Sequence, residues 1–174
     1  NVLLAVTHGR GMFLAVENSI VPQGFELLAG VQRSGQLSDI FASDDQYLSL
    51  APNRNFNRFA RKIDLVLKST STTRTPTEFQ FRLQSRMIGG QPGDVTQTIK
   101  LWNYRTRQYE VLDTRPAAIT DETVVVVAAD DPSRFVQSRT KKVKANITWS
   151  RDPFIRRPLI WSIDVDEAVW LLME

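Results

Sequence analysis

The chemistry open to this chain is set first by what it lacks. It contains no cysteine and one histidine, His8. Disulfides, thiolate zinc sites and a cysteine nucleophile are therefore excluded. A Ser–His–Asp hydrolase would have to use His8, which sits in a tight polar turn, Thr7-His8-Gly9-Arg10-Gly11, with no partner suggested by spacing. Carboxylates remain. Asp39, Asp44 and Asp45 precede the run at Gln46, Asp130 and Asp131 form a pair, and Asp164, Asp166 and Glu167 cluster near the end. Calcium takes about six to eight oxygens from carboxylates and carbonyls. Asp39, Asp44, Asp45, Asp164 and Asp166 are the candidate ligands for a structural ion, should two clusters meet in space. No EF-hand spacing is present. The competing reading makes Asp44-Asp45 an Asx-type turn and puts Asp164 and Asp166 on the wet side of a strand. No other cofactor is implied. Nothing in the spacing sets two carboxylates at the separation glycoside hydrolysis needs, so no residue is assigned a catalytic role and the chain reads as a non-enzyme.

Aromatic side chains offer a second chemistry, stacking on the apolar face of a sugar ring. Trp102, Tyr104 and Tyr109 lie on or beside one expected hairpin. Unbroken alternation would put Lys100, Trp102 and Tyr104 on the outer face, opposite Ile99 and Leu101. An exposed Trp–Tyr group marks a binding surface. Arg105 and Arg107, in the intervening turn, complete the candidate carbohydrate site. The alternative is a slipped period at a bulge, or a loop lying over Trp102. Trp149, Trp161 and Trp170 belong to the core by pattern.

These residues must be held by strands. Period-two alternation runs through most of the chain, and helical periodicity is nearly absent. Ile63, Leu65 and Leu67 share one face; so do Phe79, Phe81 and Leu83; so do Val143, Ala145, Ile147 and Trp149. Trp161, Ile163 and Val165 point inward in the last strand, with Ser162, Asp164 and Asp166 outward. The valine-rich run at 123–128 reads as buried on both faces or paired at the sandwich centre. Gly89 to Asp94 is the strongest loop signal, and Arg105-Thr106-Arg107 is short enough to close a hairpin. Asp130 to Ser133 can start a helical turn with Pro132 at its first position, and Leu37 to Phe41 a second. Many short strands with few helices predict an all-β chain: a two-layer antiparallel β-sandwich, jelly-roll-like, with an N-terminal β-hairpin appendage. The expected boundaries are residues 1–19 for the hairpin and connector and 20–174 for the sandwich.

The chain has 174 residues, 42% of them hydrophobic and 24% charged. That is one domain's worth of chain with enough apolar material for a real core. No run approaches the roughly 18 apolar residues that cross a bilayer as a helix, so no membrane span is expected. The net charge is +3. Residues 54–86 and 139–157 are locally basic, which reads as an anionic partner or as solvated strand faces. No recognition helix or zinc-finger spacing accompanies that charge, so nucleic acid is not expected. The sequon Asn146-Ile147-Thr148 falls inside an expected strand. The chain begins at Asn1 without Met, as expected of a mature or clipped piece of something longer.

Two resemblances add to this. The stretch Val2-Leu3-Leu4-Ala5-Val6-Thr7-His8-Gly9-Arg10-Gly11-Met12-Phe13 resembles the closing strands of sialidase-type, Asp-box β-propellers. It implies that residues 1–16 end an upstream propeller; none of that family's catalytic residues falls in this chain. Residues 20–172 resemble an uncharacterised β-sandwich module of large secreted bacterial proteins, planctomycete-type among them. The match lies in Val31 to Leu50, Thr98 to Thr114, Asp131 to Val136 and Ile163 to Trp170, with Gln36 where relatives often have a second glycine after Gly35. It implies a secreted or cell-surface accessory module. The leading expectation is thus a non-catalytic extracellular structural or interaction module. Its partner would be another protein or a second copy, engaged through the N-terminal strands. A carbohydrate-binding module, taking a polysaccharide on the aromatic hairpin, is the alternative.

Overall fold

A computed structural model describes residues 18–53, 62–128, 130–151 and 160–173, together with the backbone of 3–7 and 12–16. Thirteen strands are present among the described residues: β1 (Leu3–Thr7), β2 (Met12–Val16), β3 (Asn18–Ile20), β4 (Gly24–Ala29), β5 (Val31–Ser34), β6 (Leu48–Ala51), β7 (Lys62–Thr70), β8 (Glu78–Ile88), β9 (Val95–Asn103), β10 (Gln108–Pro116), β11 (Glu122–Ala128), β12 (Lys142–Arg151) and β13 (Ser162–Met173). Two single-turn 3-10 helices, Leu37–Ile40 and Pro132–Phe135, sit where the turn signals predict them.

Two antiparallel sheets form the sandwich. One runs β10-β9-β12-β7-β4, and the other runs β11-β8-β13-β6-β5 with β3 added beside the far end of β13. The predicted alternation sets the core. Ile63, Leu65, Leu67, Ile99, Leu101, Val143, Ala145, Ile147 and Trp149 are buried from the five-stranded sheet. Phe79, Phe81, Leu83, Ile163, Val165 and Trp170 meet them from the other. Phe81 and Trp170 pack with ring centroids 5.3 Å apart. Such burial, at about 25 cal/mol per Å² of apolar surface, is the main force holding the layers together. Among the polar groups buried here, that of Trp149 is answered. The indole N–H of Trp149 donates to Gln97 Oε1 at 2.8 Å, and the Ser85 hydroxyl donates to the same oxygen at 3.0 Å.

Two expectations change. The valine run is not central: β11 is the edge strand of its sheet, and its burial alternates, leaving Val125 and Val127 about half exposed. In β13 the register shifts between Val165 and Glu167. At that bulge Asp166, expected on the wet face, is fully buried, with the Ser43–Asp44 segment against its carboxylate. The sequon residue Asn146 is buried, its amide donating to Asp64 Oδ1 at 2.5 Å and to the Leu65 carbonyl at 3.2 Å.

The predicted N-terminal hairpin is present as β1 paired antiparallel with β2, Leu3 opposite Val16. Its turn, with His8, lies outside the described residues, as do Arg54, Arg58, Arg61, Arg156 and Arg157 of the basic stretches. The six-stranded sheet takes in Asn18–Ile20, which pair with Trp170–Leu172.

Candidate functional site

The site grows from the β9–β10 hairpin. Asn103 ends β9 buried, and its Oδ1 accepts the backbone N–H groups of Arg105 at 2.7 Å and Thr106 at 3.1 Å. This is an Asx-type turn. Arg107 closes it in the left-handed region, φ 57°, donating its N–H to the Asn103 carbonyl at 2.9 Å. Because the turn absorbs the reversal, β9 keeps its alternation unbroken: Gln97, Ile99 and Leu101 face inward, and Thr98, Lys100 and Trp102 outward. The bulge in β10 falls between Val111 and Asp113, past Tyr109, so Tyr109 stays directly opposite Trp102.

The three aromatics therefore meet on the outer face. Trp102 and Tyr109 stand edge to face with centroids 4.9 Å apart, and Trp102 and Tyr104 do so at 6.5 Å. All three are partly exposed. Across the sheet, β12 lays Lys144 opposite Trp102 and opposite Lys68 of β7. The Lys144 ammonium lies 5.5 Å from the Trp102 ring centroid, within cation–π range.

Charge on this face is unevenly answered. Lys62 pairs with Asp64 at 2.6 Å and Lys68 with Glu26 at 2.7 Å. Lys100, Lys142 and Lys144 have no carboxylate within ion-pair distance among the described residues. Beside them opens a concavity of about 510 Å³, walled by Gln23, Lys68, Thr70, Tyr104, Gln137, Lys142 and Lys144. The Tyr104 hydroxyl is buried without a hydrogen-bond partner among the described residues. Burial first, and the neighbouring Tyr109 second, push its phenol up to about 12. Burial also raises Tyr109, with Asp64 and Glu26 adding to it.

Of the five carbohydrate candidates, the fold thus gathers Trp102, Tyr104 and Tyr109. Arg105 instead bonds Asp131 and the Ser133 hydroxyl, the latter at 3.1 Å. Arg107 stays exposed in the turn. The lysines of the face were not among the candidates. The alternation of residues 142–149 already shows Lys142 and Lys144 on one side of a strand. What it cannot show is that β12 is the neighbour of β9.

The carboxylates have their own partners. Asp166 accepts the Ser43 hydroxyl at 3.0 Å and the Asp44 N–H at 3.3 Å, so the two acidic clusters do touch. Asp44 in turn accepts the Gln46 N–H at 3.1 Å and Asp45 the Tyr47 hydroxyl at 3.0 Å. Asp39 accepts the Gln36 N–H at 2.9 Å and Asp164 faces Arg86 at 3.5 Å. Among the described residues no three carboxylates gather in a way that could hold a metal ion.

No family model and no curated protein sequence matches this chain. Solved structures do. A family 29 carbohydrate-binding module superposes with a TM-score of 0.52 at 11% identity, over 90% of this chain and 85% of that one. A second mutant of the same module, complexed with mannohexaose, gives 0.51 at 11% identity over 90% and 92%. A third mutant of it, complexed with cellulohexaose, gives 0.52 at 11% over 90% and 91%. At such identity the likeness shows the fold: this chain is a jelly-roll-like β-sandwich of the kind those modules use.

Proposed function

We propose that this sandwich is a polysaccharide-binding module and that the outer face of the five-stranded sheet receives the chain. One observation carries the reading. Trp102, Tyr104 and Tyr109 form a contiguous aromatic group, held by an unbroken strand and an Asx turn at the edge of an open concavity. Rigid aromatics present large apolar area at low conformational cost, which suits stacking on sugar rings. Groups such as Gln23, Thr70, Gln137 and the unpartnered Tyr104 hydroxyl supply the few polar contacts that orient a ligand. The fold likeness to carbohydrate-binding modules supports the same conclusion, ahead of the structural-module expectation. The reading is one of binding, not catalysis, and it sets the module's work outside the cell, on polysaccharide of a wall or matrix.

Affinity electrophoresis in gels containing soluble polysaccharides tests it. At least one neutral or acidic polymer is expected to retard the protein, and Trp102→Ala to abolish the retardation without changing the melting curve. Free migration in every gel would sink the proposal.

A further inference from the structure

Resting on that reading, we infer that the ligand is anionic: a polyuronate, its carboxylates met by Lys100, Lys142 and Lys144 around the Trp102 platform. Unanswered charge points to it. On the same face Lys62 and Lys68 each have a carboxylate within 2.7 Å, whereas these three have none among the described residues. Lys144 and Lys68 are directly opposite in the β12–β7 register, where like charges destabilise a sheet. An arrangement that sets like charges opposite each other, with the Lys144–Trp102 cation–π approach but no carboxylate to answer them, is complementary to an anion outside the molecule. Its shape narrows the choice. Lys142 and Lys144 follow one another at alternate positions of β12, about 7 Å apart along the strand. Lys100 lies one step away on β9, two residues before Trp102. The three lysine positions are thus spaced along the face, not stacked at one point, matching a polymer with one charge per sugar better than a densely sulfated chain. The aromatic group between them distinguishes the face from a simple polyanion sink. Each ammonium bonding a carboxylate gives a charge-assisted hydrogen bond, worth about a tenfold change in affinity or more.

Isothermal titration at physiological salt decides the matter, using polygalacturonate oligomers, mannohexaose, cellohexaose, heparin oligomers, polyglutamate and a single-stranded oligonucleotide. Polygalacturonate is expected to bind best. Lys144→Gln should weaken that binding about tenfold, while Arg33→Gln, which removes an equal charge from exposed β5 of the other sheet, should leave it unchanged. Trp102→Ala should weaken it as well. Several results overturn the inference but leave carbohydrate binding standing: equal or tighter binding of the neutral hexaoses, tighter binding of heparin, or insensitivity to Lys144→Gln. Polyglutamate or the oligonucleotide binding as tightly as the uronate would reduce the face to general electrostatics and overturn it too. Binding of no sugar at all removes both this inference and the function it rests on. Melting curves of each variant confirm that the fold is intact.

Discussion

The two outer faces of the sandwich are built by the same alternation and both carry cations, but they dispose of the charge in opposite ways. On the six-stranded sheet, Arg82 forms a two-pronged pair with Glu167, both contacts at 2.7 Å. Arg86 meets Asp121 at 3.1 Å and Asp164 at 3.5 Å and lies 4.1 Å from the Tyr47 ring centroid. On the five-stranded sheet, Lys62 and Lys68 are paired, but Lys144, over the Trp102 ring, and Lys100 and Lys142 have no carboxylate within ion-pair distance among the described residues. The residue types differ to match. Arginine's planar fork suits a fixed carboxylate, while lysine's mobile point charge suits a ligand that arrives. The contrast teaches that one face is spent on holding the fold and the other is left open for recognition.

The largest expected effect lies on the holding face. Arg82→Met leaves the Glu167 carboxylate, only 8% exposed, without its counter-ion. A loss of about 2–3 kcal/mol in urea unfolding is expected, because an uncompensated charge is left largely buried. Polysaccharide affinity should not change. A fall in affinity as large as the fall in stability would mean that the two faces are not independent, and the contrast would collapse.

Trp102→Ala should show the mirror image. Affinity is expected to drop more than tenfold with the loss of the stacking platform. Stability should fall by less than about 1 kcal/mol, the worth of a cross-strand aromatic pair on a sheet surface. Calorimetry and thermal melts on the same preparation separate the two quantities.

How much of this was legible beforehand follows from range. Alternation is a local property, so the inward set Ile63, Leu65, Leu67 and the outward placing of Trp102 could be read from neighbours two residues apart. The Asx turn at Asn103 is likewise local. Strand order is not. The 123–128 run carries four consecutive valines, which suit a doubly buried strand and an edge strand equally well; only its position beyond β8 decides. The bulge at Val165/Glu167 left no mark in the sequence, and neither did the chain segment Ser43–Asp44 that meets Asp166 and helps bury it. The meeting of Lys144 with Trp102 depends on β12 lying beside β9, a pairing across more than forty residues of chain. The pairing of Arg105 is hidden for the same reason: Asp131, which meets it, comes from a distant 3-10 turn.

A smaller effect sharpens the comparison. Lys144→Gln removes one of two ammoniums set directly opposite each other, Lys144 and Lys68. It should raise stability by a few tenths of a kcal/mol, up to about 0.5, even as it weakens binding. The gain should shrink as ionic strength rises, since exposed charges are screened over about 8–10 Å at physiological salt. A substitution that stabilises the protein and impairs recognition is what the open face predicts. One that destabilises would show Lys144 to be held by the fold after all.

The least effect at neutral pH, and the most specific signature, belongs to a pair of tyrosines, one on each face. The Tyr47 hydroxyl shares its single proton between Asp45 at 3.0 Å and Asp121 at 3.2 Å, while the buried Tyr104 hydroxyl has no partner among the described residues. Tyr104→Phe should therefore change stability by no more than a few tenths of a kcal/mol at pH 7, or raise it slightly, because no hydrogen bond is lost. Tyr47→Phe should destabilise. The pH dependence separates wild type from Tyr104→Phe further. Burial holds the Tyr104 phenol up at about 12 in the folded protein, against 10 unfolded. Below pH 10 it is neutral in both states, and its contribution is fully present. As pH rises from 10 through 12 the unfolded chain ionises first, unfolding releases a proton, and stability falls. Phenylalanine has no such proton, so Tyr104→Phe should lose less stability than wild type over that interval, measured by urea unfolding at each pH. Parallel curves for the two proteins would mean that the phenol is not buried. The wall of the concavity would then be built differently from the one that makes this face a binding surface.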